Sequence, residues 1–181
     1  MDILQEKLNK CTECPFEDYE INWYDEKTGT GKLAAYVYPE SDHSVMVVGQ
    51  NPSHRRWPGT HSMGGKQGDI FREIFGKDSL VFTNFIQVST PNNKVDQLTD
   101  AQINHCINHL LDEIEYLKPK VIIVCSSFAR SKLVKLDRLN DLAKWSANVF
   151  FVKHPDYYLT YNRGNIEEYY SELKSIKQLC S

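Results

Sequence analysis

The sequence predicts an α/β fold: a three-layer α/β/α sandwich with a central, mostly parallel four-stranded sheet. Three observations carry this. Four apolar runs of strand length, SVMVVG (44–49), LVFTNF (80–85), KVIIVCS (120–126) and NVFFVKH (148–154), are spread along the chain. Stretches of helical periodicity lie between them, the strand and helix alternation of a parallel sheet covered on both faces. The runs are apolar almost throughout rather than at every second position, as strands buried on two sides are.

The first run is rich in valine, a β-branched residue suited to a pleated surface, and it stops at Gly49 with Pro52 close behind. A first helix is predicted over 67–75, entered through the Gly-rich turn MGGKQG. The second strand ends at Asn84. Residues 99–117, TDAQINHCINHLLDEIEYL, put Ile103, Ile107, Leu110, Leu111, Ile114 and Leu117 on one helical face, and Thr99 or Asp100 can cap its start. A third strand, a helix over 127–135, a fourth strand and a helix over 165–179 complete the order.

A length of 181 residues suits one domain, here 1–181, and is short for two. Hydrophobic residues are 41% and charged residues 25%, a globular balance that excludes disorder and fibrous structure. No apolar run reaches the roughly 20 residues that cross a bilayer, so no membrane is expected. The opening MDILQEKLNK is charged, unlike a signal peptide, so the expectation is a cytoplasmic protein and a monomer. A net charge of -3 supplies no overall basic face for nucleic acid, so any such face is local. Arg55, Arg56, Lys153 and Arg163 recur near the polar loops. Five cysteines, an odd number, speak against a disulfide framework and for thiols or metal ligands.

In a parallel sheet the ligand site lies beyond the carboxyl ends of the strands. The residues found there are Gly49, Gln50, Asn51, Pro52, Ser53 and His54 after the first run, Asn84 at the end of the second, and His154, Pro155 and Asp156 after the fourth. An amide such as Asn51 can hold a water by its oxygen, and a histidine opposite can stabilise a departing anion. The planar amide of Asn84 carries one donor edge and one acceptor edge, which is what reading a nucleobase requires. The plainer alternatives are a turn-forming Asn before Pro and a structural histidine.

These motifs resemble the uracil-DNA glycosylase superfamily. GQNPS (49–53) is similar to its first motif, found across branches as GQDPY, GINPG, GMNPG or GEAPG. VFTNFIQVSTPNNK (81–94) resembles the strand that ends in a base-reading Asn, and HPDYYLTYNRG (154–164) resembles the HPS-containing leucine loop. The resemblance implies that Asn51 positions the attacking water, His154 stabilises the leaving base, and Asn84 reads a flipped pyrimidine. Gly49, Gln50, Pro52, Ser53 and His54 would line the pocket. DNA, single- or double-stranded, would be held by Arg55, Arg56, Lys66 and Arg163, with Tyr158 or Leu159 filling the gap left in the stack. Packing against the last helix is the alternative for the tyrosines. Backbone N–H groups at Lys66, Gln67 and Gly68 could receive a phosphate, or the segment is an ordinary turn.

Three departures bear on the implied chemistry. Ser53 stands where the GQDPY branch has a tyrosine that excludes groups at pyrimidine C5, so a 5-substituted base, including a bulky phage base, fits the expectation. Asp156 stands where a serine usually touches phosphate; it would need a partner such as Lys153 or Arg163, or would assist catalysis. CTECPF (11–16) resembles the N-terminal Cys-x-x-Cys of the iron–sulfur branch, with Cys106 on a further ligand helix and Val88 at the remaining ligand position. Cys11, Cys14 and Cys106 would hold an iron–sulfur cluster or, completed by His105 or His109, a structural zinc. Cys125 and Cys180 lie outside this set.

The expected activity is hydrolysis of an N-glycosidic bond by a monofunctional DNA glycosylase, with no lysine at the family's nucleophile position and no cofactor in the chemistry. A non-catalytic reader of modified DNA and a hydrolase of free nucleosides are the alternatives. Repair and defence against modified phage DNA use the same chemistry.

Overall fold

The computed structural model describes Ile3, Leu4, Lys7, Cys11, residues 44–52, Met63, and residues 65–87, 94–145, 148–161 and 165–179. Four strands form one sheet: β1 (Val45–Gly49), β2 (Leu80–Asn84), β3 (Val121–Val124) and β4 (Asn148–Phe151). They are hydrogen-bonded in the order β2-β1-β3-β4, and every pairing is parallel. The helices between and after them are α1 (Lys66–Phe75), α2 (Asp100–Leu117), α3 (Ser127–Lys135), α4 (Leu139–Trp145) and α5 (Ile166–Leu179).

Side chains alternate across the sheet and sort the helices into two layers. Met46, Val48, Val81, Ile122 and Val124 face a core with Ile103, Ile107, Leu110 and Ile114 of α2, Leu133 of α3 and Leu142 of α4. Val45, Val47, Leu80, Val121 and Ile123 face the opposite core, built with Ile70, Phe71 and Ile74 of α1 and Tyr169, Leu173 and Ile176 of α5. The α/β/α sandwich expected from the sequence is thus observed. Each of these buried aliphatic and aromatic side chains contributes about 1.5–3 kcal/mol relative to exposure.

Helix α2 begins as its sequence requires. Thr99 accepts a hydrogen bond from the Gln102 backbone at 3.2 Å, and the Gln102 side chain accepts from the Thr99 N–H at 2.9 Å, a closed capping box. Helix α3 is capped by Ser126, which accepts from the Ala129 N–H at 3.1 Å. Helix α4 was not expected from the sequence: it has only seven residues and only Leu142 is buried, too little for a periodic signal. No helix among the described residues is long and apolar enough to cross a membrane.

Candidate active site

The strand order reverses direction between β1 and β3, the switch point where parallel sheets open a crevice beyond their carboxyl ends. Gln50 and Asn51 follow β1 there, and Ser126 follows β3. The Ser126 hydroxyl donates to Gln50 Oε1 at 3.5 Å, and Gln50 Nε2 donates to Asn51 Oδ1 at 3.3 Å. Asn51 in turn donates to the Pro52 carbonyl at 3.1 Å. The cap of α3 and the amide of Asn51 are therefore linked through Gln50, which fixes the plane of the Asn51 amide.

Asn84 ends β2 directly opposite Gly49 and is 5% exposed. Its side chain lies so close to β1 that a Cβ at position 49 would come within 2.8 Å of Asn84 Oδ1. Glycine at 49 is the condition for this placement. Beneath Asn84 runs a buried polar network. Thr83 donates to Glu113 Oε2 at 2.6 Å, and Gln87 donates to the Asn84 carbonyl at 2.8 Å and to Thr83 Oγ1 at 3.3 Å. Glu113, on α2, is fully buried. This support was missed in the sequence, although polar Thr83, Asn84 and Gln87 inside and beside an apolar run are its signal.

His154 follows β4 and is partly buried. The Asp156 backbone N–H donates to its Nδ1 at 3.2 Å, so Nδ1 is the acceptor nitrogen and the neutral ring carries its proton on Nε2. Burial lowers the histidine's pKa, and the nearby Asp156 charge, with Oδ2 3.6 Å from Nδ1, acts against that shift. The Asp156 carboxylate accepts from Gln67 of α1. Of the two cationic partners expected, Lys153 instead has its ammonium 4.1 Å from the centre of the Tyr157 ring, and Arg163 lies outside the described residues.

The residues expected to contact DNA divide. Lys66 is exposed at the start of α1. Tyr158 is 5% exposed and stacked on Tyr169 with ring centres 4.7 Å apart, so it belongs to the core rather than the surface. Leu159 is partly buried beside that core, and Tyr157 and Tyr161 are exposed; all lie in a π-helical turn, Tyr157–Tyr161. Ser53, His54, Arg55, Arg56, Arg163, Cys14 and Val88 lie outside the described residues.

The family model described as the uracil DNA glycosylase superfamily matches residues 35–175. The chain belongs to the uracil DNA glycosylase superfamily. Three relatives are each called a type-4 uracil-DNA glycosylase. That of Thermotoga maritima is 25% identical, covering 91% of this chain and 85% of its own. That of Archaeoglobus fulgidus is 21% identical over 99% and 93%, and that of Pyrobaculum aerophilum is 24% identical over 75% and 66%.

Within this superfamily the iron–sulfur branch implies a cluster, and the donors here can be tested against it. Four-thiolate clusters need four cysteines. Valine at position 88 has no donor atom. Among the described residues, the group with ligand atoms all within 4.8 Å of one another is Cys11, His105 and His109. Cys106 is 2% exposed within the α2 core and is not a member of it. Among the described residues, this group of one thiol and two imidazoles is not the four-thiolate set of such a cluster; Cys14 lies outside them.

Proposed function

We propose that the chain is a uracil-DNA glycosylase that hydrolyses the N-glycosidic bond of a flipped pyrimidine in DNA and leaves an abasic site. The observation that carries this reading is His154, held with Nδ1 accepting and Nε2–H left as the donor, at the same sheet edge as Asn51 and Asn84. Neighbouring strands are about 4.8 Å apart, so the β1 and β4 ends stand about 10 Å apart, a span suited to a nucleoside.

In this mechanism Asn84 hydrogen-bonds the edge of the extruded base, and its short tether to a buried strand makes the recognition rigid. The bond between C1′ and the base nitrogen breaks, and its electron pair leaves with the base. The Nε2–H of His154 donates to the carbonyl oxygen where that negative charge collects. A water held by the Asn51 amide adds its oxygen to C1′, and its proton passes to the departing base or to solvent. A neutral imidazole suits this role, and burial favours the neutral form.

DNA contacts are assigned to Arg55, Arg56, Lys66 and Arg163, with Leu159 rather than Tyr158 entering the stack beside the exposed Tyr161. Ser53, smaller than the tyrosine it replaces, supports acceptance of 5-substituted pyrimidines beside uracil. The involvement of Asp156 with Gln67 and His154 gives that carboxylate a task within the protein and favours the enzyme over a non-catalytic reader.

The test is base release from single- and double-stranded oligonucleotides carrying uracil, mismatched thymine, 5-hydroxymethylated pyrimidines or glycosylated 5-hydroxymethylcytosine, with free deoxynucleosides alongside. Release from DNA is expected, with a loss of about 10²–10³-fold in Asn51→Ala and His154→Ala and DNA binding retained. Silence on every substrate from folded protein would overturn the hydrolase and leave the reader. Equal turnover of free deoxynucleosides would overturn the DNA requirement.

A further inference from the structure

Cys11, His105 and His109 bring one sulfur and two ring nitrogens within 4.8 Å of one another. The two histidines are one helical turn apart on α2, the spacing that places two imidazoles on one face. Their rings meet edge to face, with centres 4.9 Å apart. His109 is 9% exposed, and its Nε2 has no hydrogen-bond partner among the described residues. A buried polar atom left in that state costs about 1–3 kcal/mol and calls for an explanation.

We propose that Cys11, His105 and His109 bind a single zinc ion in place of the iron–sulfur cluster of the related branch. A soft thiolate with two imidazoles is zinc chemistry, and the set lacks the four thiolates of a cubane. Cys106, one residue beyond His105, packs in the core and is not in this group of ligand atoms. Three protein ligands leave the fourth tetrahedral position to water or a further donor, and the role of the ion is to hold the chain together. Together with the Lys7–Asp112 ion pair at 2.9 Å, it fastens the segment carrying Leu4, Lys7 and Cys11 to the outer side of α2.

The test is the metal content of the full-length purified chain, followed by cobalt(II) titration of chelator-treated protein. Zinc at about one ion per chain is expected, without iron or acid-labile sulfide. Cobalt should give tetrahedral d–d absorption and a thiolate charge-transfer band. The band should vanish in Cys11→Ser, the d–d absorption should weaken in His105→Ala and His109→Gln, and Cys106→Ala should leave both intact. Far-UV circular dichroism selects the folded variants, so lost binding is not lost structure. Iron with stoichiometric sulfide, a cobalt spectrum that disappears in Cys106→Ala, or no cobalt uptake by folded wild-type chain would each overturn the proposal.

Discussion

The side-chain oxygen of Asn84 lies 2.8 Å from the point that a Cβ on residue 49 would occupy. The two residues face each other across the β1–β2 pairing, so the backbone of one strand is the wall against which the amide proposed to read the base rests. Gly49→Ala pushes that amide aside, and the nearest displaced atom belongs to a side chain rather than to backbone. The expected result is a small change in stability and a loss of about 10²-fold in kcat/KM, since misplacing a reacting or recognising group by about 1 Å has that effect. Steady-state base release beside a urea melt checks it; a melt that collapses would show that the wall is structural.

His154 makes the pH dependence specific. Its pKa is lowered in the folded chain, so the neutral ring is favoured by folding. The sign follows: its stabilising contribution is complete above the unfolded value of about 6.5 and is lost as pH falls through the lower folded value. Activity should keep its plateau below pH 6.5 and fall only at more acid pH, when a proton on Nδ1 would confront the Asp156 N–H. Asp156→Asn removes the charge that favours the imidazolium and should move the acid limb further down. Rate profiles and NMR titration of the imidazole report both changes, and an acid limb at or above pH 6.5 would contradict them.

Gln67 acts on this site at one remove, as a positioning residue that holds Asp156. Gln67→Ala should lower kcat more than it raises KM, with Gln67→Asn restoring part of the loss if its shorter amide still reaches the carboxylate. A uniform KM effect would assign Gln67 to DNA binding.

Thr83 is the buried donor to Glu113. Thr83→Val preserves shape and removes that hydrogen bond, so it should cost about 1–3 kcal/mol in chemical denaturation. Glu113→Gln should cost less, because its amide oxygen still accepts from Thr83.

The Thr99 and Gln102 capping box opens the long helix. Thr99→Ala should destabilise the chain by about 1 kcal/mol and leave base release unchanged. A loss of activity would reveal coupling from the helix start to the site.

Much of the fold was legible because strand burial on two faces writes long apolar runs, and each of the four expected runs holds a strand. Helix α2 was equally plain, since a capping residue and a periodic face agree. What could not be read was pairing between distant polar residues. Gln67 and Asp156 meet because α1 and the turn after β4 share a sheet edge, and nothing local in either segment records it. Lys153, one of the two partners proximity in sequence offered Asp156, instead lies over an aromatic face next to it. Tyr158 has the composition of a surface wedge and the environment of a core residue; only packing against Tyr169 distinguishes them.

The parallel sheet has a consequence for how the molecule comes into being. Its polar edge is assembled from residues about a hundred positions apart, Asn51 and His154, across a strand order in which, among the described residues, β4 pairs only with β3. A chain emerging from the ribosome can pair β1 with β2 and seat Asn84 against Gly49 long before His154 exists. The residue proposed to recognise the base can thus be seated first, and His154, proposed to stabilise the leaving anion, joins only when the last strand docks. On the proposed roles, the nascent protein would gain an affinity for a base before an ability to cut one out.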